Sequence, residues 1–279
     1  MNLRGMFVFF LLFIVRELMA QEQATQMTGV ADSLVPRPIV DHLYLDYFTT
    51  YHGPTINNVT SPNSIDNTGR STPFALSGLD SEITTAYLID KERAIGIGPD
   101  IPFVAEPTQG GQFLIGDVGI KAFDKKTIKT DNFRLYTNFY VQAPTSAASQ
   151  ARHMDFALKT TPYMYYDIPD SRFRVGAWTE FKWYADVTTD KILKAYAAPY
   201  VSYRLTEKFL LSLEYEMEAH HNVGNDPMQF VGYQNDFQPG FIYRITRETL
   251  INPYLQFFPS TPLATNTTAI GVVFYSVLL

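Results

Sequence analysis

The sequence predicts an all-β chain, a transmembrane up-and-down antiparallel β-barrel of about twelve strands. Three observations predict it: one long stretch alternates between apolar and charged residues, strand-like segments follow one another along the chain, and the connections between them alternate in length. No segment after residue 20 reaches eighteen consecutive apolar residues, so no transmembrane helix is expected. A chain that crosses a membrane without a helix must cross it with strands that close into a barrel.

The alternating stretch is Arg172–Val187, RFRVGAWTEFKWYADV. Its odd-numbered positions are almost all apolar, and its even-numbered positions carry five charges. Period two indicates a strand, because successive side chains on an extended backbone point to opposite faces. Strands of soluble sandwiches, the alternative, are usually about 5–6 residues long, whereas a tilted strand needs roughly 9–11 residues to cross a bilayer.

Eleven further segments show strand-like patterns. With the first stretch, the predicted strands are Val40–His52, Glu82–Asp90, Arg93–Ala105, Gln112–Asp124, Asn132–Gln142, Arg152–Asp167, Arg172–Val187, Ile192–Leu205, Phe209–His221, Phe230–Ile245, Leu250–Phe258 and Thr268–Leu279. Longer polar connections are predicted at Gly53–Asp80, Glu106–Gly111, Ala143–Gln150, Asn222–Met228 and Pro259–Asn266. Shorter ones alternate with them at Lys91–Glu92, Ile168–Ser171, Thr206–Lys208 and Thr246–Thr249, while Lys125–Asp131 and Thr188–Asp190 deviate from the alternation. Short turns at one end and longer loops at the other are typical of membrane barrels.

Aromatic residues lie near the ends of the predicted strands, where membrane barrels carry girdles at the head groups. The alternative is that aromatic residues simply favour strands. The candidate girdle residues are Tyr163, Tyr165, Tyr166, Phe173, Trp183, Tyr203, Phe209, Tyr243, Phe257 and Phe258.

With these features the chain resembles the porin-like outer-membrane β-barrel proteins of Gram-negative bacteria over residues 39–279. Its end is similar to the C-terminal strand that the barrel assembly machinery recognises, since Gly271, Val273, Tyr275, Val277 and Leu279 alternate on one face. Such strands most often end in Phe or Trp, and Leu279 departs from that pattern. The resemblance implies an outer-membrane location and contacts with membrane lipid, lipopolysaccharide and the assembly machinery.

The N-terminus is predicted to be an export signal. Met6–Val15 is an unbroken apolar run after Arg4, and Leu18–Ala20 offers a small-residue cleavage site. Residues 1–20 are therefore predicted to be a cleaved signal peptide, with an uncleaved anchor as the alternative. Residues 21–38 are expected to form a periplasmic lead-in and residues 39–279 the barrel.

Charge and composition exclude several functions. The chain carries a net charge of −6, and removal of Arg4, Arg16 and Glu17 with the signal leaves 20 basic and 27 acidic residues. This acidic balance argues against a nucleic-acid partner. The absence of cysteine excludes disulfides, thiolate metal sites and a cysteine nucleophile. No glycine-rich phosphate loop is present, and no cofactor is predicted.

If the apolar faces contact lipid, the charged faces line the lumen, because a charge at the bilayer midplane costs up to about 2–4 kcal/mol. The lumen is then expected to select small polar or charged solutes. The alternative is a lumen that paired charges fill. Twelve strands lie between filled eight-stranded and open sixteen-stranded barrels. The candidate lumen residues are Arg172, Arg174, Glu180, Lys182, Lys194, Arg204, Glu214, Glu216, Glu218, Asp117, Lys121 and Arg134, with Asp155 and Lys159 also on this face.

The favoured function is passive passage of small hydrophilic solutes, and the runner-up is a non-conducting surface barrel whose loops, chiefly Gly53–Asp80, bind a partner. A lipid hydrolase comes third: His221 and Asn222 resemble part of a Ser-His-Asn arrangement, but Val223 stands where that family has serine. Without an activated nucleophile next to its base this chemistry has no start. Glu218 and His220 supply only two ligands of a metal site, so no metal is predicted.

Overall fold

In the computed structural model, the described residues are 42–59, 78–90, 94–106, 112–185, 191–222, 231–259 and 261–278. The chain divides into two units, Met1–Asp41 and His42–Leu279. The predicted signal peptide and lead-in lie outside the described residues, as does most of the Gly53–Asp80 connection. Within the described residues, no helix is long and apolar enough to cross a membrane.

The described part of the second unit is a closed antiparallel barrel of twelve strands, which confirms the predicted fold class. Two of the strands are interrupted, β4 at residues 116–118 and β6 at residues 161–162. The strands are β1 (Leu43–Thr55), β2 (Gly78–Asp90), β3 (Ile95–Glu106), β4 (Gln112–Ile115 and Gly119–Lys129), β5 (Phe133–Gln142), β6 (Ala157–Thr160 and Tyr163–Asp167), β7 (Phe173–Tyr184), β8 (Lys191–Arg204), β9 (Phe209–Asn222), β10 (Val231–Arg244), β11 (Thr249–Phe257) and β12 (Thr268–Val277).

Each strand pairs with its neighbours in the chain, and β12 pairs with β1 to close the sheet. Closure leaves no free edge, which is the condition for strands in hydrocarbon. The two ends of the barrel are here called the loop end, where β1 leads to β2, and the turn end, where β2 leads to β3.

Two predicted connections differ in the structure. β4 continues to Lys129, so the predicted turn Lys125–Asp131 is mostly strand. The predicted strand Arg152–Asp167 begins only at Ala157, because a short helix, α1 (Ala147–Ala151), precedes it. Ser146 caps this helix by accepting a hydrogen bond from Ser149 N, which fits the preference of serine for the N-cap.

The outer face is apolar, as the alternation in β7 predicts. Phe181 and Trp183 are 51% and 44% exposed on the outside, whereas Glu180 and Lys182 between and beside them are half-buried on the inside. Apolar side chains exposed in this number around a sheet require a hydrocarbon environment.

The C-terminal strand, β12, points an apolar face into the barrel, although apolar faces of the other strands point outward. Tyr275 Oη lies 3.3 Å from Tyr44 Oη inside the barrel. Gly271 also faces inward, since a Cβ there would lie 2.2 Å from the ring of Tyr254. The face formed by Gly271, Val273, Tyr275 and Val277 is thus the inner one, and Leu279 lies outside the described residues.

Large aromatic side chains fill space inside the barrel where the adjacent, hydrogen-bonded strand has a glycine. A Cβ at Gly96 would lie 2.5 Å from the ring of Phe123, and a Cβ at Gly176 would lie 2.6 Å from the ring of Tyr200. Phe123 on β4 reaches Tyr44 on β1, with 4.7 Å between the ring centroids. Side chains on strands three apart therefore meet within the barrel.

Candidate channel interior

Four lysines, on β4, β6, β7 and β8, lie in one register row around the inner wall. Lys121 pairs with Tyr140, Tyr140 with Lys159, Lys159 with Lys182, Lys182 with Lys194, and Lys194 with His220. Like charges that face each other across strands are destabilising. A row of this kind requires acidic groups nearby.

Glu82 on β2 supplies the acidic group on one side. Its Oε1 lies 2.7 Å from Lys121 Nζ, and its Oε2 lies 3.6 Å from Lys159 Nζ. Tyr140 donates a hydrogen bond of 3.2 Å to the same carboxylate. Glu82 thus joins β2 to β4, β5 and β6 across the interior.

At the other side of the row the arrangement is reversed, because one cation, Lys194, lies between two carboxylates. Its Nζ lies 3.3 Å from Glu180 Oε1 and 2.9 Å from Glu218 Oε2. Glu218 also contacts His220 Nε2. These charged side chains together form the charge belt, which consists of Lys121, Lys159, Lys182, Lys194, Glu82, Glu180 and Glu218.

Lys121 is the most deeply placed cation of the charge belt, with a side chain only 5% exposed. It donates a second hydrogen bond, of 2.9 Å, to Thr84 Oγ1 and lies 4.0 Å from Asp46 Oδ2. Thr84 in turn donates to Asp100 Oδ1. Several partners are what a buried ammonium requires.

Carboxylates on β9 and β10 form a second region, here called the acidic wall (Glu214, Glu216 and Asp236). Glu216 pairs in register with Asp236, and Tyr196 donates a hydrogen bond to Glu216. Within the part of the chain that the structure describes, no basic side chain lies within 4 Å of Glu214 or Glu216. This side of the interior is electronegative.

Beside the acidic wall, where Tyr200 pairs in register with Glu214, lies a group of inward-facing tyrosines called the tyrosine cluster: Tyr136, Tyr163, Tyr165 and Tyr200. The rings of Tyr163 and Tyr200 stack, and their hydroxyl oxygens are 2.7 Å apart. Arg174 lies 3.8 Å from the ring centroid of Tyr165. It also makes a two-pronged ion pair with Asp167, at 2.8 and 3.0 Å, a geometry that fixes the guanidinium firmly.

The connection that carries α1 folds against the inside at the loop end. Met154 packs on Tyr184, and Asp117, in the interruption of β4, accepts hydrogen bonds from Ser149 Oγ and Ser146 N at 2.6 and 3.1 Å. Asp117 therefore anchors this connection. The exposed Asp155 belongs to the same connection and not to the strand predicted for it.

Three predicted lumen residues lie toward the turn end, away from the charge belt. Arg172 is exposed in the turn before β7, and Arg204 ends β8 with its side chain 49% exposed. Arg134 is half-buried at the start of β5. The charge belt therefore contains Lys121, Glu180, Lys182, Lys194 and Glu218 of the predicted set, and the acidic wall contains Glu214 and Glu216.

Sequence reasoning missed several interior residues and misplaced some aromatic ones. Asp46, Glu82 and Asp100 were not predicted, although all lie at inward-facing positions of β1, β2 and β3. Tyr163 and Tyr165 belong to the tyrosine cluster, so their placement in an outer girdle was wrong. Phe258 is buried as well. The signal for Glu82 was the alternation of EITTAYLID itself, which places Glu82, Thr84 and Ala86 on one face.

A serine nucleophile for lipid hydrolysis would have to lie next to His221, and the one serine of the same strand, Ser212, does not. His221 and Ser212 occupy opposite registers of β9, nine positions apart, a separation of roughly 30 Å along a strand. Ser212 pairs with Ser202 and Gly240 instead. Val223 lies outside the described residues.

Comparison with solved structures places this geometry among known barrels. An outer membrane channel from Pseudomonas putida F1 superimposes with a TM-score of 0.53 at 12% identity, over 89% of this chain and 99% of that one. The chain has the fold of an outer-membrane β-barrel. The NanC porin (TM-score 0.45, 10% identity, 84% and 100% covered) and LpxR from Salmonella typhimurium (0.38, 12%, 84% and 99%) are more distant. No family model and no curated protein matches the sequence.

Proposed function

We propose that this protein is an outer-membrane channel that passes small hydrophilic solutes through its charged interior, and that it reaches the membrane by means of a cleaved signal peptide. The fold that it shares with the Pseudomonas putida channel is consistent with this function. Its apolar outer face suits lipid, and its loops and turns lie at opposite ends as they do in membrane barrels.

The observation that carries the proposal is the charge belt. A barrel that served only as a scaffold could fill its interior completely with side chains, as small barrels do. Here the charge belt consists of four lysines and three glutamates, and positive and negative side chains are in contact. Rings of charged side chains of this kind order water and select ions and polar solutes in channels.

The acidic wall sets the expected preference. Glu214 and Glu216 have no basic partner within 4 Å in the described residues, whereas Lys121, Lys159 and Lys194 each have a carboxylate that close. Lys182 is the one lysine of the charge belt with no carboxylate that close in the described residues, so two unpaired carboxylates face the path against one unpaired ammonium, and the net uncompensated charge is negative. Cations are expected to pass more readily than anions, because fixed charge raises the local concentration of counter-ions.

Recordings in planar lipid bilayers test both statements. The purified barrel should give ohmic single-channel steps, and its reversal potential in a salt gradient should indicate cation preference. The variant Glu214→Gln/Glu216→Gln should lose that preference. The matched variant Asp131→Asn/Asp170→Asn removes two exposed carboxylates from turns outside the interior and should keep it. Silent membranes with a correctly folded barrel would refute the channel.

A second candidate is a non-conducting surface barrel, and one specific feature favours it. Glu82 spans from β2 to β6, and Phe123 on β4 meets Tyr44 on β1, so side chains cross the interior. If these contacts close the path, the loops at the loop end carry the function by binding a partner. Bilayer recordings that stay silent for the wild type, but show steps for Glu82→Gln, would support this candidate.

A further inference from the structure

A cleft opens at the turn end of the barrel, between the β8–β9 turn and the β10–β11 turn. Its volume is about 590 Å³, within the range of roughly 300–1,000 Å³ that is common for ligand sites. Most of its charged lining is basic. The lining residues are Arg204, Glu207, Lys208, Arg244, Ile245, Thr246 and Arg247.

The two turns are held side by side by backbone and side-chain hydrogen bonds. Arg244 N donates to Lys208 O at 2.8 Å, which ties one turn to the other. Within each turn a threonine hydroxyl accepts backbone N–H groups: Thr206 from Lys208 and Phe209, and Thr246 from Glu248 and Thr249. The backbone that carries the cations is therefore fixed before any ligand arrives.

The cations of the cleft differ from those of the charge belt in having few acidic partners. Among the residues that the structure describes, Arg204 is the one of the four with a carboxylate within 4 Å, Asp167 Oδ1 at 3.6 Å. Lys208, Arg244 and Arg247 have none that close. Glu207 is the single acidic residue of the lining, so four positive charges face one negative charge.

We propose that this basic cleft (Arg204, Lys208, Arg244 and Arg247) is a binding site for a phosphate group. Guanidinium groups present two parallel N–H donors that match two phosphate oxygens, and three of the four cations are arginines. The volume exceeds that of a phosphate group, so the cleft has room for a ligand that carries an organic remainder. Glu207 disfavours ligands that add negative charge beyond the phosphate.

The position of the cleft leaves two sources for that phosphate. Arg204 and Arg244 occupy inward-facing positions at the barrel mouth, as a solute that enters or leaves the interior would require. Ile245, which also lines the cleft, is 42% exposed on the outer apolar side, where a phospholipid headgroup would lie. Neither source requires the barrel to conduct, so the cleft stands apart from the proposed channel activity.

Binding is measured with the folded barrel and two probes. Glycerol 3-phosphate is titrated by calorimetry into protein in phosphate-free detergent solution. Phosphatidylglycerol retention is counted by native mass spectrometry after release from phosphatidylcholine nanodiscs that contain it. The variant Arg244→Gln/Arg247→Gln should weaken the interaction by at least about tenfold. A matched control, Lys129→Gln/Arg172→Gln, removes two exposed cations outside the cleft and should stay within about twofold of wild type.

The outcomes separate the sources and expose failure. Binding of glycerol 3-phosphate alone assigns the cleft to a solute, and selective retention of phosphatidylglycerol alone assigns it to lipid. In both cases binding must weaken in Arg244→Gln/Arg247→Gln and not in the control variant. The proposal is overturned if neither probe binds wild type, or if both double variants weaken binding equally, which would indicate diffuse charge. Heat-modifiable migration on gels verifies that each variant is folded. A barrel that binds these probes but gives no conductance would refute only the channel.

Discussion

Glu82→Gln is the substitution that tests the charge belt most directly. Glu82 contacts two cations and one phenol, and Lys121 beside it is 5% exposed. Removing one partner of a buried ion pair typically costs about 3–5 kcal/mol, because the other charge stays buried. Lys121 retains Thr84 at 2.9 Å and Asp46 at 4.0 Å, and a glutamine carbonyl still accepts one bond. The expected loss is therefore about 2–4 kcal/mol.

The loss is measured by urea-induced unfolding in lipid vesicles. Trp178 and Trp183 are the two tryptophans of the chain and lie on opposite faces of β7, so their fluorescence reports on both the interior and the outer face. Asp131→Asn, at an exposed residue of the β4–β5 turn, is the control and should change stability by less than about 0.5 kcal/mol.

The same variant should change conduction. Without Glu82, Lys121 and Lys159 lose their shared counter-charge, and the link from β2 to β6 is broken. Conductance should rise and the cation preference should fall. If Glu82→Gln matches the control in both stability and conductance, Glu82 does not join the strands as described, and the charge belt has no role in the barrel.

Three further substitutions test other parts of the barrel. Leu213→Arg places a charge at an outward position that is 44% exposed, and unfolding in vesicles should show a loss of up to about 2–4 kcal/mol; no loss would place this position in water. Gly176→Val places a Cβ 2.5 Å from the Met164 carbonyl oxygen and 2.6 Å from the Tyr200 ring and should cost about 1–3 kcal/mol; a prior Tyr200→Ala substitution should remove only the part due to the ring in a double-mutant cycle, and full rescue would contradict the backbone contact. Asp117→Ala removes the acceptor of Ser149 Oγ, so hydrogen exchange in α1 should quicken while the strands stay protected; unchanged exchange in α1 would contradict the anchoring role.

The architecture was predictable because period two is strong in strands such as β7 and β9. In β7 the outward Phe181 and the inward Glu180 differ so strongly that one strand suffices to assign its faces. The alternation of longer and shorter connections then indicates that consecutive strands run in opposite directions and lie next to each other in the sheet. Strand ends were less predictable, as at Lys129, because a charged residue at a barrel rim continues a strand as readily as it begins a turn.

The interior could not be predicted, because it depends on contacts between strands that are far apart in the chain. Lys121 and Lys159 lie near Glu82 only because β2 faces β4 and β6 across the closed barrel. In β12 both faces are apolar, so the sequence does not show which face points inward. The structure shows that Tyr275 faces inward and meets Tyr44. A tyrosine satisfies both environments, since its ring is apolar and its hydroxyl is polar.

Solvation distinguishes an open interior from a filled one more sharply than the strand number does. Three of the four lysines of the charge belt, all except Lys182, form ion pairs with its glutamates, and these pairs would tolerate exclusion of water. The acidic wall would not, because Glu214 and Glu216 have no basic partner within 4 Å in the described chain, and a dry carboxylate without a counter-charge is strongly unfavourable. If Glu214 and Glu216 are ionised, as the expected cation preference requires, water must reach β9 and β10 for either candidate function. The two candidate functions then differ in one respect only, whether the hydrated path continues past the charge belt, and Glu82 lies at that point.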